Sequence, residues 1–460
     1  MTLAALGAEL GGELRGRDVG FGAVCTDTRS LREGELFLAL AGENFDGNAF
    51  VPEALRRGAS AAVVGRFSDA DLPQLRVADT ELALARIANA NRGRSSATVL
   101  AVTGSQGKTT VKEMLGAILA LEGPSLVTRA NLNNTVGVPL TLLGLGAEHR
   151  FAVIEMGANR AGEIAFCAAA AAPDIALITG AAMAHTEGFG GLSGVVRAKG
   201  EIIDGLKPDG VLLLNAGDPN AGAWRERGAA HRIREFSLRE VAGRSAYFAR
   251  EIELNSRGQP AFTLATPGGE TRIRLALLGE HNVANAVAAA AAALEAGAGL
   301  ASVRDGLEST APAPGRLCAL PGRGGLRVID DSYNANPDSF RAAINLLAAL
   351  PGPRLLIAGD MLELGPGAGA MHRDIGRHAA ERGIDQLWAT GDLCGHMVAG
   401  FGPAGRHFAS RERLAEALGD GAFARDSGGA FAPGGVVLVK GSRGARMDEI
   451  AAQLSEGGQG

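Results

Sequence analysis

The sequence predicts an α/β protein of three domains. Its 460 residues are too many for a single hydrophobic core. Short apolar strand candidates alternate with helical segments, and most of these strands end in polar or glycine-rich sequence. This alternation is typical of an open, mostly parallel sheet that binds ligands beyond the carboxyl ends of its strands. We expect a central domain of the phosphate-loop type with a mostly parallel sheet, a small α/β domain before it and a Rossmann-like α/β domain after it.

Breaks in composition divide the chain into residues 1–90, 91–312 and 313–460. The polar run 89–96 suggests a linker, and a proline-rich segment at 311–315 suggests a hinge. Within the second domain, residues 234–278 alternate apolar and polar positions and predict an antiparallel excursion. The main strand candidates are 37–40, 61–64, 99–102, 151–154, 175–178, 211–214, 326–329, 355–358, 386–389 and 436–439.

Composition gives no indication of a nucleic-acid or membrane partner. The net charge is only -5, and the apolar run 287–294 is mostly alanine and too short to cross a bilayer. No basic segment precedes the first apolar residues, as a secretion signal would require. The four cysteines lack metal-ligand spacing and are expected to be reduced. We therefore expect a cytoplasmic monomer that acts on small molecules.

A glycine loop between a predicted strand and a predicted helix is the strongest functional signal. Backbone N–H groups and the positive helix end can surround a phosphate there. Lys108 can reach the terminal phosphates, and the Thr109 hydroxyl can ligate magnesium. The loop is tighter than the common phosphate loop, since Val102 occupies the position of its first glycine. The predicted ATP-binding residues of this loop are Gly104, Ser105, Gln106, Gly107, Lys108, Thr109 and Thr110.

Lysine is rare in this chain, which contains only five lysines among 45 basic residues. Because arginine supplies most of the positive charge, each lysine is a candidate for chemistry that a guanidinium cannot perform. Lys112 and Lys207 are expected to be helix-surface and turn residues. Lys199 lies on a helix predicted to begin near Ser193. Its neutral amine could take up carbon dioxide as a carbamate, or the side chain could form an ordinary salt bridge.

Polar residues at other strand ends are candidates for metal and nucleotide binding. Glu155 follows the strand at 151–154, where a carboxylate would anchor magnesium beside the phosphate loop or simply be solvated. His185 follows the strand at 175–178 and is either a loop histidine or a ligand. At the start of an alanine-rich helix, Asn282 either caps the helix or helps to bind a nucleotide base, together with His281 and Asn285 on the same face.

Three features of the third domain extend this pattern. Arg316, just past the hinge, would suit a mobile cation that reaches the γ-phosphate when the domains close. The run 330–339 carries more polar side chains than a turn needs, even if Asp338 and Ser339 serve partly as a helix cap. Lys440 ends the strand at 436–439 and is well placed to meet a carboxylate.

Taken together, these segments resemble the Mur ligase family, the ATP-dependent amide ligases that build the cell-wall peptide. The resemblance covers nearly the whole chain. It rests on residues 103–113, 131–140, 155–157, 184–189 with 199–201, and 279–285. Three further stretches resemble the member that adds a D-alanyl-D-alanine dipeptide, namely 330–339, 359–365 and 440–443.

The resemblance implies separate domains for UDP, ATP and amino-acid binding. It implies ATP and Mg²⁺ as cofactors, and a UDP-linked muramyl tripeptide and D-alanyl-D-alanine as substrates that are joined through an acyl phosphate. The implied metal ligands are Thr109, Glu155, His185 and a carbamylated Lys199. The implied nucleotide contacts are His281, Asn282 and Asn285 to adenine, Asp331 to ribose and Arg316 to the γ-phosphate. Of these residues, Lys108, Lys199, His185 and Arg316 would be catalytic.

The resemblance also implies the residues that bind the two peptide substrates. The uridine-contacting loops would include Thr26, Asp27, Thr28, Arg29 and Asp46. Asn48 stands where the family pattern suggests histidine. The other implied substrate contacts are Asn133, Asn134, Asn334, Asn336, Ser339 and Lys440. A sibling ligase or a folate polyglutamylating enzyme would share the ATP domain, but the run 330–339 argues against both. A small-molecule kinase or a nucleotide switch is the alternative from a different class, and neither has an obvious use for a third domain or for Lys440.

Overall fold

The computed structural model describes residues 1–42, 45–182, 186–419 and 434–455. In these residues the chain forms three α/β units, each built on its own main sheet. The predicted three-domain α/β architecture is thereby confirmed. No helix in these four stretches has the length and apolarity needed to span a bilayer.

The described part of the first domain is built on a five-stranded sheet with the order β1-β7-β6-β3-β2. Its elements are α1 (Leu3–Leu10), β1 (Glu13–Arg15), β2 (Val24–Cys25), β3 (Leu36–Leu38), β4 (Ala41–Gly42), β5 (Phe45–Asp46), α2 (Val51–Arg56), β6 (Ala61–Val64), β7 (Gln74–Arg76) and α3 (Thr80–Gly93). Strands β2, β3, β6 and β7 run parallel, whereas β1 is antiparallel to β7. The parallel strands therefore place the loops after β2, β3 and β6 at one edge of the sheet.

Helix α3 occupies most of the segment 89–96, so the predicted linker is wrong. The Asp79 side chain caps the helix, which continues through Gly93. Its polar residues contact the second domain: Asn91 donates to the carbonyls of Leu142 and Leu145, and the buried Arg92 pairs with Asp174 at 2.8 Å. The polar composition reflects contacts between domains, and the predicted boundary at residue 90 falls inside this helix.

The second domain carries, within the described residues, a nine-stranded sheet with the order β16-β15-β14-β13-β12-β11-β8-β10-β9. Its strands are β8 (Thr98–Thr103), β9 (Ser125–Val127), β10 (Phe151–Glu155), β11 (Ile175–Ile178), β12 (Val211–Asn215), β13 (Arg232–Ser237), β14 (Tyr247–Leu254), β15 (Pro260–Thr266) and β16 (Gly269–Arg274). Strands β8 to β14 are paired in parallel, and β14, β15 and β16 are antiparallel, as predicted for this excursion.

Helices cover both faces of the parallel part of this sheet. They are α4 (Lys108–Ala120), α5 (Gly137–Leu143), α6 (Glu163–Ala171), α7 (Thr186–Phe189), α8 (Leu192–Gly200), α9 (Ala221–Arg227), α10 (His281–Glu295) and α11 (Leu300–Ser309). One core joins the sheet to α4, α10 and α11, and the other joins it to α3, α5 and α6. Because both faces are covered, the central strands are continuously apolar and buried.

The third domain contains, as far as it is described, a six-stranded sheet with the order β17-β18-β22-β19-β20-β21. Its elements are β17 (Cys318–Pro321), β18 (Arg327–Asp331), α12 (Pro337–Ala349), β19 (Arg354–Gly359), α13 (Ala368–Glu381), β20 (Gln386–Thr390), α14 (Cys394–Phe401), β21 (Gly405–Phe408), α15 (Arg411–Gly419), β22 (Val436–Lys440) and α16 (Asp448–Leu454). Only β17 is antiparallel to its neighbour among these strands. The register of β18 and β22 places Asp331 opposite Lys440.

Candidate active site

A cavity of about 300 Å³ is lined by residues of the second and third domains. Its walls come from the loop after β8, the end of β10, helix α8, the start of α10, the hinge segment and the loop after β18. The predicted site residues that line it are Gly104, Ser105, Gln106, Gly107, Lys108, Thr109, Thr110, Asn133, Asn134, Glu155, Lys199, His281, Asn282, Asn285, Arg316, Asp331, Asn334, Asn336, Ser339 and Lys440. His185 lies outside the described residues.

Two glycines give the phosphate loop its shape. Gly104 and Gly107 have φ values of 144° and 78°, which side chains rarely adopt. A Cβ atom would lie 1.9 Å from the Thr179 hydroxyl at Gly104 and 2.3 Å from Asn285 Oδ1 at Gly107. Helix α4 begins at Lys108 without a side-chain cap, which leaves its first N–H groups available to an anion.

Lys108 is held across this loop. Its ammonium group donates to the carbonyl of Gly104 at 2.6 Å. Burial lowers the pKa of Lys108, while the nearby Glu155 carboxylate opposes that shift. An ammonium group fixed beside uncapped helical N–H groups is suited to contact a phosphate.

Glu155 ends β10 with a carboxylate that is almost fully buried. One oxygen, Oε1, accepts hydrogen bonds from the Thr109 hydroxyl at 3.2 Å and from the Asn133 amide at 2.8 Å. The other, Oε2, has no hydrogen-bond partner among the described residues. An unsatisfied buried carboxylate oxygen is costly, and a hard cation with oxygen ligands would remove that cost. The oxygens of Thr109 and Glu155 therefore fit a magnesium ion.

Lys112 is buried in the structure, whereas the sequence predicts it on the surface of the helix. Its side chain is only 1% exposed, with Nζ 2.8 Å from Glu113 and 4.0 Å from Glu155. The rarity of lysine in this chain is the one feature of the sequence that indicates a special role for Lys112. A buried ammonium beside Glu155 places a second positive charge, after Lys108, near the predicted metal ligand.

Lys199 is buried on α8, which begins at Leu192, next to the predicted start. Its Nζ lies 5.6 Å from the centroid of the Phe189 ring. Burial, aided by the positive charge of Lys108, lowers the pKa of Lys199 to about 7. A large fraction of the amine is therefore neutral near pH 7, and only the neutral amine reacts with carbon dioxide.

His281, Asn282 and Asn285 share the first turn of α10. Burial, with the charge of Lys440, lowers the pKa of His281 to about 4, so the ring is neutral. The Asn282 amide donates to the carbonyl of Leu278 at 2.8 Å and accepts from Asn285 at 2.9 Å. Asn282 does not cap the helix, because it is the second helical residue. The neutral ring and the ordered amides are suited to a flat, uncharged base.

Arg316 connects the third domain to the phosphate loop. Its guanidinium donates to the Thr109 hydroxyl oxygen at 3.1 Å and lies 4.3 Å from the centre of the Tyr333 ring. The backbone N–H of Tyr333 also donates to the carbonyl of Gly315. The guanidinium is thus aligned with the helix end that would bind phosphate.

Lys440 meets a carboxylate, as expected of its strand end, and that carboxylate belongs to Asp331. The ammonium group lies 2.6 Å from Asp331 Oδ2 and 3.0 Å from the carbonyl of Asn334. Burial raises the pKa of Asp331, and the charge of Lys440 works against that rise. Both groups are therefore committed to a buried ion pair between β18 and β22.

Asn336 and Ser339 form a capping box at the start of α12. Asn336 Oδ1 accepts from the Ser339 N–H at 2.9 Å, and Ser339 Oγ accepts from the Asn336 N–H at 3.0 Å. The same Asn336 oxygen accepts from the Gln106 side chain at 3.1 Å. The helix cap is thus Asn336 with Ser339, rather than Asp338 with Ser339, and it also contacts the phosphate loop.

The predicted uridine loops lie at the parallel edge of the first domain and do not line the cavity described above. Arg29 pairs with Asp27 at 2.6 Å, and its hydrogen bonds lower the pKa of Asp27 to about 2. Thr28 between them is buried. Thr26 directly follows β2. Each of these four residues stays a predicted uridine contact.

Asn48 links the loops after β3 and β6 at the same edge. Its amide donates to Asp46 at 2.6 Å, and its Oδ1 accepts from the N–H groups of Gly65 and Arg66. Arg66 also pairs with Asp46 at 2.5 Å. A small cavity next to this network is lined by Asn48, Ala49, Pro52, Arg66, Phe67, Ser68 and Asp69.

Asp360, His372 and Cys394 come close together in the third domain, although the sequence showed no metal-ligand spacing for cysteine. His372 Nε2 accepts from the Met361 N–H at 2.9 Å, so Nδ1 carries the proton that faces the carbonyl of Ala368 at 2.7 Å. Asp360 accepts from the Cys394 N–H. These bonds occupy both ring nitrogens, and the cluster serves to fix the loop after β19.

Comparison with known proteins places these sites in a family. Three family models match in chain order: "Mur ligase family, catalytic domain" at residues 21–92, "Mur ligase middle domain" at 102–293 and "Mur ligase, glutamate ligase domain" at 315–443. The chain is 43% identical to the UDP-N-acetylmuramoyl-tripeptide--D-alanyl-D-alanine ligase of Escherichia coli (strain K12), covering 100% of this chain and 99% of the relative. It is 40% identical to the ligase of the same name from Haemophilus influenzae, covering 94% and 93%.

Solved structures agree with the sequence relatives. A crystal structure of MurF from Acinetobacter baumannii superposes with a TM-score of 0.89 at 38% identity, covering 98% of each chain. MurF ligase from Thermotoga maritima, solved in complex with ADP, gives a TM-score of 0.83 at 26% identity, covering 95% of this chain and 97% of that one. The chain therefore belongs to the Mur ligase family and is an ATP-dependent, amide-bond-forming ligase.

Proposed function

We propose that this ligase joins D-alanyl-D-alanine to the terminal carboxylate of UDP-N-acetylmuramoyl-tripeptide, with conversion of ATP to ADP and phosphate. One observation carries the proposal. A single cavity holds the phosphate loop, the Arg316 guanidinium and the polar turn before α12, so a nucleotide and two peptide substrates can meet there. The proposal agrees with the activity for which the Escherichia coli and Haemophilus influenzae relatives are named.

The first step is phosphoryl transfer. A carboxylate oxygen of the tripeptide attacks the γ-phosphorus of ATP, the bond to the β-phosphate oxygen breaks, and an acyl phosphate forms. Lys108 and Arg316 are placed to hold the transferred group, since one crosses the loop and the other reaches Thr109. Fixed positive charge at this point stabilises the transition state without reorganisation of solvent.

Magnesium would be held by Thr109 and Glu155, whose oxygens fit it. When bound, the ion would withdraw negative charge from the phosphates. Thr109 also accepts the hydrogen bond from Arg316, so this hydroxyl would align the guanidinium with the same phosphates. The ligand roles of His185 and of a carbamylated Lys199 stay predictions.

The second step is attack by the neutral amine of the dipeptide on the acyl carbon. In the tetrahedral intermediate the nitrogen gives up one proton to solvent, and the bond from the acyl carbon to the phosphate oxygen breaks. The products are inorganic phosphate and the new amide. Positioning dominates this step, because aligned groups can reach effective molarities of roughly 10⁵ M or more. The cavity walls from two domains would also shield the acyl phosphate from water.

The remaining assignments follow the local chemistry. We assign adenine to His281, Asn282 and Asn285, whose ring is neutral and whose amides are ordered. Asp331, which lines the same cavity, would contact ribose. UDP would bind at the strand edge that carries Asp27. We place the reaction in the cytoplasm, where ATP is available, and we expect the chain to act as a monomer.

The proposal is tested by measuring phosphate release from ATP with each substrate alone and with both. We expect release to require the UDP-tripeptide and the dipeptide together, and Lys108→Ala to abolish it. Lys207→Ala is the matched control, since Lys207 lies outside the cavity in a half-exposed pair with Asp174. Release that needs no dipeptide would indicate a kinase or nucleotide switch, and preference for a single amino acid would indicate a sibling ligase.

A further inference from the structure

The incoming dipeptide would bring a carboxylate into the cavity, and a charge-assisted hydrogen bond to a cation is the strongest way to recognise it. This inference rests on the proposed function. Lys440 is not available for that purpose, because its buried ammonium group is already bound to Asp331 at 2.6 Å and to the carbonyl of Asn334 at 3.0 Å. Displacing Asp331 would leave an unpaired charge in the protein interior, which is strongly unfavourable.

Arg443 lies three residues further along the chain than Lys440. It is exposed and lies 5.8 Å from the centre of the Tyr333 ring, which lines the cavity. Within the described residues, Arg443 has no carboxylate partner for its guanidinium. Arginine suits this role, since its planar fork matches both oxygens of a carboxylate.

The segment that carries Arg443 is fixed by its neighbour Ser442. The Ser442 N–H donates to the carbonyl of Asp360 at 3.0 Å, and its hydroxyl oxygen accepts from the Leu362 N–H at 2.9 Å. The carbonyl of Ser442 accepts from the Ala445 N–H at 2.8 Å. The backbone at Arg443 is therefore already ordered before any substrate binds, which lowers the entropic cost of binding.

The distances suit a dipeptide. Arg316, the proposed γ-phosphate contact, lies 4.3 Å from the same Tyr333 ring. The two ring contacts limit the separation of the two guanidinium carbons to about 10 Å. An extended dipeptide spans at most about 7 Å. Its amine can thus face the acyl phosphate near Arg316 while its carboxylate reaches Arg443.

We propose that Arg443 binds the C-terminal carboxylate of the incoming dipeptide and sets the distance from its amine to the acyl phosphate. The experiment compares D-alanyl-D-alanine with D-alanyl-D-alaninamide, in which a neutral amide replaces the carboxylate. Wild type, Arg443→Gln, Arg443→Lys and Arg446→Gln are assayed with each. Arg446 is the matched control, because it is exposed nearby and paired with Glu449.

In wild type we expect the amide to show a KM about 10- to 100-fold higher than the acid, as for loss of a charge-assisted hydrogen bond. Arg443→Gln should raise the KM for the acid by a similar factor and leave the KM for the amide, for ATP and for the UDP-tripeptide unchanged. Arg443→Lys should recover part of the loss, and Arg446→Gln should behave as wild type.

Two outcomes would overturn the inference while leaving the proposed function intact. One is a wild-type enzyme that accepts acid and amide equally. The other is an Arg443→Gln variant that retains the preference for the acid. If wild type releases no phosphate with both substrates, the proposed function itself fails, and that result is seen before any variant is compared.

Discussion

Lys199 is the residue whose environment makes the most specific chemical prediction. Burial lowers its pKa to about 7, so the neutral amine needed for carbamate formation becomes scarce below that pH. We expect ¹³C-labelled carbon dioxide to give a carbamate NMR signal in the wild type that decreases below pH 7 at constant dissolved carbon dioxide. The signal should be absent in Lys199→Ala, which should also lose phosphate release.

Rescue separates carbamate chemistry from a structural role of the lysine. Short carboxylates such as acetate should restore part of the activity of Lys199→Ala, because they can occupy the space of the missing carbamate. Lys207→Ala, which removes a half-exposed lysine, should keep the labelled signal. A wild-type protein without the signal at pH 8, or a variant that no carboxylate rescues, would argue for an ordinary buried amine.

At the scale of elements, the ion pair between β18 and β22 couples stability to the nucleotide site. Removing one partner leaves the other charge buried, so Lys440→Met should destabilise the third domain by about 3–5 kcal/mol. The double variant Asp331→Asn with Lys440→Met removes both charges and should recover most of the thermal midpoint. If Asp331 contacts the ribose, the double variant should bind ATP more weakly than wild type even though its stability is restored.

Calorimetry of wild type, Asp331→Asn, Lys440→Met and the double variant measures the stability of each protein. Titration of each protein with ATP measures its nucleotide affinity. The non-additive part of the two substitutions reports the coupling of the pair. Equal destabilisation by the single and double variants would mean that the pair contributes packing rather than charge compensation. Wild-type ATP affinity in the double variant would remove Asp331 from the nucleotide site.

The periodicity of the sequence predicts most strands of the three sheets, but it does not predict contacts between domains or between distant strands. Apolar runs such as 175–178 mark buried parallel strands, because both faces are covered. The sequence predicts a linker at 89–96, whereas helix α3 continues to Gly93. Polar residues that contact another domain cannot be told from solvent-exposed residues by composition. The Asp331–Lys440 pair depends on the register of two strands more than 100 residues apart, which local sequence does not encode.

The phosphate loop was predictable, because its chemistry is local, whereas the assignment of cations in the cavity was not. The sequence predicts that Lys440 meets a carboxylate but does not show that the carboxylate is that of Asp331. It predicts Lys112 on the helix surface, whereas Lys112 is buried beside Glu155. The proposed role of Arg443 depends on its 5.8 Å distance to the Tyr333 ring, which the sequence does not show. Long-range pairing decides which charges remain available to substrates, so these roles follow from the tertiary structure.

At the scale of the whole molecule, the described residues include two side-chain hydrogen bonds that join the phosphate loop and the start of α4 to the third domain. One runs from Arg316 to Thr109, and the other from Gln106 to Asn336. The Asn336 oxygen also caps α12 through Ser339. The loop that would bind ATP is therefore bonded directly to the helix start beside the proposed dipeptide site. We infer that the Gln106 bond favours the arrangement in which both domains enclose the cavity.

Substitution of Gln106 by alanine tests this coupling, because it removes the bond to Asn336 and leaves the capping box of Asn336 and Ser339 intact. Loss of one hydrogen bond, about 0.5–1.5 kcal/mol, should shift the equilibrium from the enclosed to an open arrangement by roughly 2- to 10-fold. Small-angle X-ray scattering with a non-hydrolysable ATP analogue should show a larger radius of gyration than wild type at an unchanged thermal midpoint. Asn336→Ala should add a loss of stability of about 1 kcal/mol from the cap. A Gln106→Ala protein as compact as wild type would show that the hydrogen bond from Gln106 to Asn336 does not decide how the two domains are arranged.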